Sequence, residues 1–110
     1  MTGEKIIEEA KKYIGVKYVK GGANPNGFDD IGLINYVYKK IYGKILSQDF
    51  RALIKMGKIV NSKELIKGDL IFCKKHVGIF IGNGQFIIVD PKHGVRISAI
   101  VDFNTARRIL

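Results

Sequence analysis

The sequence predicts an α+β fold, with N-terminal helices packed on a C-terminal antiparallel β-sheet. Two observations point there. Apolar residues step at helical spacing through the first half of the chain, and after "KGD" at Lys67 to Asp69 the pattern changes to short β runs. A third is the "GNG" at Gly82 to Gly84 between two of those runs, a hairpin turn signal.

Ile6, Ala10, Tyr13 and Ile14 recur at helical spacing behind Thr2, a candidate N-cap, so the first helix is expected over Gly3 to Ile14. "GVKYVKGGANPNG" interrupts it with glycines, a proline and asparagines and reads as loop. From Asp30 the apolar positions Leu33, Ile34, Val37, Tyr38 and Ile41 step at three and four, and Gly43 is placed to end that helix. Asp29 or Asp30 is its N-cap candidate. A short third helix is expected over Asp49 to Met56, with Phe50, Leu53 and Ile54 turned inward. "LIFC", "HVGIFIG", "QFIIVD" and "VRIS" read as strands, and a last strand is expected to include the C-terminal "ARRIL".

At 110 residues the chain suits a single domain, residues 1–110, with one modest core. No repeat, low-complexity segment or linker divides it. No window approaches the roughly 18 apolar residues of a membrane span, and the first residues, "MTGEKIIEEAKKY", are charged where a signal peptide would be apolar. The expectation is a cytoplasmic chain, or one exported without a cleaved signal. A lone cysteine, Cys73, excludes an internal disulfide and argues against a cysteine-based metal cage.

The net charge of +9, from 19 Lys and Arg against 10 Asp and Glu, is spread along the chain. Such a surplus suits polyanions, including an anionic wall polymer, but it also suits a lysine-rich and isoleucine-rich proteome with no such partner. No arginine-rich or aromatic-interleaved nucleic-acid motif accompanies it.

"YVKGG", "NGFDDIGL", "KGDLIF" and "HVGIFIGNGQFI" occur in the order and register of the NlpC/p-sixty family, and the chain resembles that family over nearly its whole length. The resemblance implies a papain-like fold and kinship with bacterial cell-wall cysteine peptidases that cleave peptidoglycan stems between D-γ-glutamate and a diamino acid. It implies a nucleophilic cysteine at the N-terminus of the central helix, where the helix dipole and free N–H groups favour a thiolate. A histidine on the first long strand takes its proton, and a polar residue on the next strand orients that histidine.

Carried over by position, the resemblance places Tyr18 at the family's tyrosine, Asp29 at the aspartate before the nucleophile and His76 at the catalytic histidine. The nucleophile's position holds Asp30, and the third position holds Ile88. The aromatic residue before the glycine pair is Lys20. Turn and packing positions persist while two of three catalytic positions do not, which implies a silent domain. Tyr18, Lys20, Asp29, Asp30 and His76 are its expected binding residues.

Other chemistry has less support in the sequence. Cys73 stands three residues before His76, an odd offset that would put the two side chains on opposite faces if both lie on one strand, so they would not meet unless a bend intervenes. Asp30 and His76 are two ligands where a zinc site needs three or four, so an ion pair is expected between them, with no metal or other cofactor. His93 in "DPKHG" is expected to be an exposed loop residue. Three functions remain open on the sequence: a catalytically inactive module binding wall peptide or anionic polymer; a hydrolase with chemistry rewired through Asp30, Cys73 or a metal; and a regulatory, immunity-type or phage structural protein whose cleft is vestigial and whose partner is another protein.

Overall fold

The computed structural model describes residues 2–74 and 76–110, and the backbone alone of Thr2, so the cap expected from Thr2 falls outside what is described. Helix α1 (Thr2–Lys11) buries Ile6, Ile7 and Ala10. It stops short of the expected Ile14 because the N–H groups of Lys12, Tyr13 and Ile14 bond to the carbonyls of Glu9, Ala10 and Lys11, a tightened final turn, and Gly15 departs at φ 94°. The stretch read as loop contains a small hairpin, β1 (Ala23–Asn24) with β2 (Gly27–Phe28), whose turn the Asn24 side chain closes by accepting the Asn26 N–H at 2.8 Å.

Helix α2 (Asp30–Tyr42) begins and ends where its pattern indicated. Asp29 is the N-cap, and Gly43 at φ 65° returns its N–H to the Lys39 carbonyl. Helix α3 is shorter than expected, Phe50–Leu53, with Asp49 as its cap; the following residues make turn bonds that end at Gly57, φ 72°. Strand β3 (Lys58–Val60) carried no sequence signal, being three residues long and largely exposed. A single 3-10 turn (Ser62–Glu64) leads to β4 (Leu70–Cys73), β5 (His76–Gly82), β6 (Gln85–Asp90), β7 (Gly94–Ala99) and β8 (Phe103–Arg108). The last strand thus starts at Phe103 and leaves Ile109 and Leu110 outside it.

These six strands form one antiparallel sheet in the order β3-β8-β4-β5-β6-β7, so the structure is α+β as its sequence predicts. At "GNG", Gly82, Asn83 and Gly84 all have positive φ, and a bulge between Phe80 and Gly82 absorbs the odd residue. The helices cover one face, where Tyr38, Phe28, Leu33, Ile34, Leu70, Phe72 and Ile79 form the main core. A smaller apolar cluster of Val60, Ile71, Cys73, Phe86 and Ala106 lies on the other face.

The link from β7 to β8 crosses that second face and fixes its shape. Ala99 and Phe103 are joined by four peptide steps, a reach of about 14 Å. In the sheet order the two strands are separated by β6, β5 and β4, so a flat sheet would set them about 19 Å apart. The sheet must therefore curl toward the link. Residues 100–102 form a strap over its concave side, with Ile100 packed into the smaller cluster.

α1 is fastened to α2 by a buried carboxylate. Glu9, 3% exposed, accepts the Tyr13 hydroxyl at 2.5 Å and pairs with Lys12 and Lys40, each at 3.1 Å. The Tyr13 hydroxyl first, then the two ammonium groups, hold its pKa down to about 2 against the opposing effect of burial. A carboxylate whose folded pKa is depressed adds stability above its unfolded pKa of about 4.3, and that stability is lost as pH falls toward 2. Glu9→Gln is expected to cost about 1–3 kcal/mol at neutral pH. Urea unfolding at pH 7 and pH 3 should show a smaller difference between variant and parent at the lower pH.

Candidate active-site cleft

The start of α2 is held by the carboxylate of Asp29. Its Oδ1 accepts the Gly32 N–H at 2.6 Å and its Oδ2 the Gly21 N–H at 2.9 Å, while its own N–H donates to the Gly22 carbonyl at 2.9 Å. One side chain thereby ties the glycine pair to the first turn of the helix. Contact is so close that a Cβ on Gly32 would sit 1.8 Å from the Gly22 carbonyl oxygen. Only glycine fits there.

Asp30, the first helical residue, has a different set of partners. Its Oδ1 accepts the Ile31 N–H at 2.9 Å, its Oδ2 accepts the Val77 N–H of β5 at 3.2 Å, and the same Oδ2 lies 3.8 Å from Nδ1 of His76. That last distance exceeds hydrogen-bond range, so the contact is electrostatic. Burial is the largest influence on Asp30 and raises its pKa, outweighing the two N–H donors and His76 that act the other way. The sign matters for stability. A carboxylate with a raised folded pKa favours the fold most below its unfolded pKa, and ionisation as pH rises through the folded value removes that advantage. Once ionised, Asp30 is a cost to the fold.

Asp30 and His76 open onto a cavity of about 290 Å³ on the concave side of the sheet. Ile88 of β6 and Arg96 of β7, register partners, line it, and Val101 and Asp102 of the strap wall it. Gly78 lets β6 pass close, since a Cβ there would lie 2.8 Å from Ile88 Cγ2. Ile88 therefore lines the cavity on the face carrying His76, and does not fill it. Asp90 orients Arg96, accepting its Nε at 3.1 Å and pairing with Nη2 at 3.0 Å, and the Lys92 N–H, then His93 and Arg96, bring the Asp90 pKa down to about 2. His93, exposed as expected, stands 3.4 Å from that carboxylate.

The structure corrects the reading of Cys73. It lies on β4 and His76 on β5, directly opposite one another in the antiparallel register, so their side chains share a face and line the same cavity. The odd-offset rule fails because the chain reverses between them. Burial first, then Asp102, raises the thiol pKa, and Cys73 has no helix N-terminus to stabilise a thiolate.

Of the other residues expected at the site, Asp29 lines a separate hollow of about 140 Å³ at the glycine turn, while Tyr18 and Lys20 line neither. Tyr18 instead bridges to Phe28 and packs on the main core. Arg96 and the strap were missed from sequence. Arg96 was countable: once Asp90 and Gly94 are paired across the turn, Ile88 falls opposite Arg96. Among the described residues no group of three or more His, Cys, Asp or Glu comes together as metal ligands.

Comparison with known proteins gives this geometry a family. The sequence pattern of the NlpC/P60 family matches residues 15–108. The chain belongs to that family. It is 32% identical over 117 residues to the murein DD-endopeptidase MepS/murein LD-carboxypeptidase of Escherichia coli (strain K12), covering 96% of this chain and 62% of that protein's length. The crystal structure of the NlpC/p60 domain of the peptidoglycan hydrolase SagA superposes with a TM-score of 0.90 at 32% identity, over 96% of this chain and 97% of that one. RipD from Mycobacterium tuberculosis, described as a non-catalytic NlpC/p60 domain protein adapted to peptidoglycan binding, gives 0.84 at 25% identity, over 100% and 98%.

As to chemistry, a carboxylate is a far weaker acyl-transfer nucleophile than a thiolate, and the only thiol in the cavity is held protonated. Iodoacetamide at about pH 7.5 is expected to leave Cys73 unmodified in the folded protein and to alkylate it once urea unfolds the chain. Rapid labelling of the native protein, followed by mass spectrometry, would show a reactive thiol instead.

Proposed function

We propose that this domain binds peptidoglycan stem peptide through its cleft without cleaving it. One observation carries the reading: the helix N-terminus that resembles the family's nucleophile position presents Asp30, engaged with Val77 and facing His76, beside a cavity that is still open. A desolvated carboxylate at this position is a cost to the fold, and its presence beside an open cavity suits a ligand site. The relatives support the ligand class, since those named above are murein or peptidoglycan hydrolases and RipD is described as peptidoglycan-binding without catalysis.

A rewired hydrolase is favoured by one specific fact, that Asp30, Cys73 and His76 line a single cavity. The raised thiol pKa and the apolar Ile88 in the third position weigh against it. Purified protein incubated with labelled muropeptides, with binding read by calorimetry and products by mass spectrometry, separates the two. The expected result is binding with no products, weakened about five- to tenfold in Asp30→Ala or His76→Ala, a change of about 1 kcal/mol. Products that vanish in Cys73→Ala or Asp30→Ala would establish an enzyme. With neither binding nor products, the function lies with a protein partner.

A further inference from the structure

The cavity is electrically divided, and that division restricts what it can hold. On one wall Asp30, its side chain 18% exposed, presents a carboxylate with a nearby imidazole as its only described charged partner. On the other, Arg96 gives both its Nε and its Nη2 to the same Asp90 oxygen, which leaves Nη1 without a described partner. The remaining acid at the rim, Asp102, stands 3.8 Å from the Lys74 ammonium. Between the two poles the lining is hydrocarbon, from Phe86, Ile88 and Val101.

Given that the cavity is a binding site, as proposed above, we infer that it holds the end of a small dipolar peptide. A primary ammonium sits against Asp30, a free carboxylate against Arg96, and the methylenes joining them lie over Ile88 and Val101. A carboxy-terminal diamino-acid residue has this chemistry. The volume, about 290 Å³, is at the lower limit of the roughly 300–1,000 Å³ typical of ligand pockets and fits a terminal residue better than a length of polymer. A carboxylate where the family carries a thiol changes what the position recognises, from a carbonyl carbon to a cation. An anionic wall polymer, expected from the net charge alone, meets Asp30 as a like charge.

The raised Asp30 pKa agrees with this geometry, because burial leaves a carboxylate short of compensating positive charge that a ligand ammonium would supply. Arg96 is pre-oriented by Asp90 for a carboxylate, which its planar guanidinium can meet through more than one N–H.

Calorimetry with alanyl-lysine, its Nε-acetyl derivative, its carboxy-terminal amide and glycerol-phosphate polymer tests the inference. Alanyl-lysine is expected to bind, and acetylation and amidation should each weaken binding by at least about tenfold. Asp30→Asn should abolish the penalty for acetylation alone, and Arg96→Gln the penalty for amidation alone. Equal binding of all three peptides, binding of none, or preference for the polymer overturns the inference, and the peptide series in the parent protein decides it even if a variant misfolds. Muropeptide binding without these discriminations leaves the proposed function standing and removes the inference. Charge discrimination accompanied by muropeptide cleavage does the reverse.

Discussion

The two hydrogen bonds to the Asp29 carboxylate set the position of everything in the cleft. They join the Gly21–Gly22 turn to the first turn of α2, and the zero-length side chain of Gly32 is what allows that contact. With the helix start fixed, the next residue has no choice of direction: its carboxylate meets the Val77 N–H at the head of β5. The adjacent aspartates therefore divide the work. Asp29 satisfies backbone donors that would otherwise be orphaned at a helix end, and Asp30 faces the cavity.

The sheet supplies the rest of the site through a second constraint, the short strap between β7 and β8. Curling the sheet toward the strap brings β4, β5, β6 and β7 around one concavity, so side chains far apart in sequence, from Asp30 to Asp102, meet there. Apolar packing of Ile100 on the smaller cluster fixes its course. Stability and the proposed function pull apart at the start of α2. The main core and the Asp29 clamp stabilise the fold, whereas an ionised, largely buried Asp30 opposes it.

Much of the fold was legible in the sequence because helical spacing, the Asp29 cap and the Gly43 stop act locally, and each strand of the central hairpins is a run of β-branched and aromatic residues. What was not legible depended on contacts distant in sequence. β3 is three residues long and forms only by pairing with β8, and the ends of α1 and α3 depend on turn bonds that leave no periodic trace. The positions of Asp30, His76 and Ile88 follow from family register, and the structure brings them to one cavity. Spacing alone left open whether a bend brings Cys73 to His76, and the antiparallel pairing of β4 with β5 does so. Tyr18 and Lys20 were expected in the cleft from register alone, but Tyr18 bridges to Phe28 of β2 and neither residue lines the cavity.

Thermal unfolding of Asp29→Asn and Asp30→Asn at pH 7 tests most directly whether the two carboxylates have these separate roles. Asparagine can accept only one of the two N–H groups that Asp29 binds, so Asp29→Asn is expected to lower the Tm by about 5 °C or more, the effect of roughly 1 kcal/mol in a domain of this size. Asp30→Asn likewise gives up one of two accepted N–H groups but also removes a desolvated charge, so its Tm should fall less than that of Asp29→Asn or not at all. An Asp30→Asn Tm that falls as far as that of Asp29→Asn would make Asp30 a second structural cap and contradict its assignment to ligand binding.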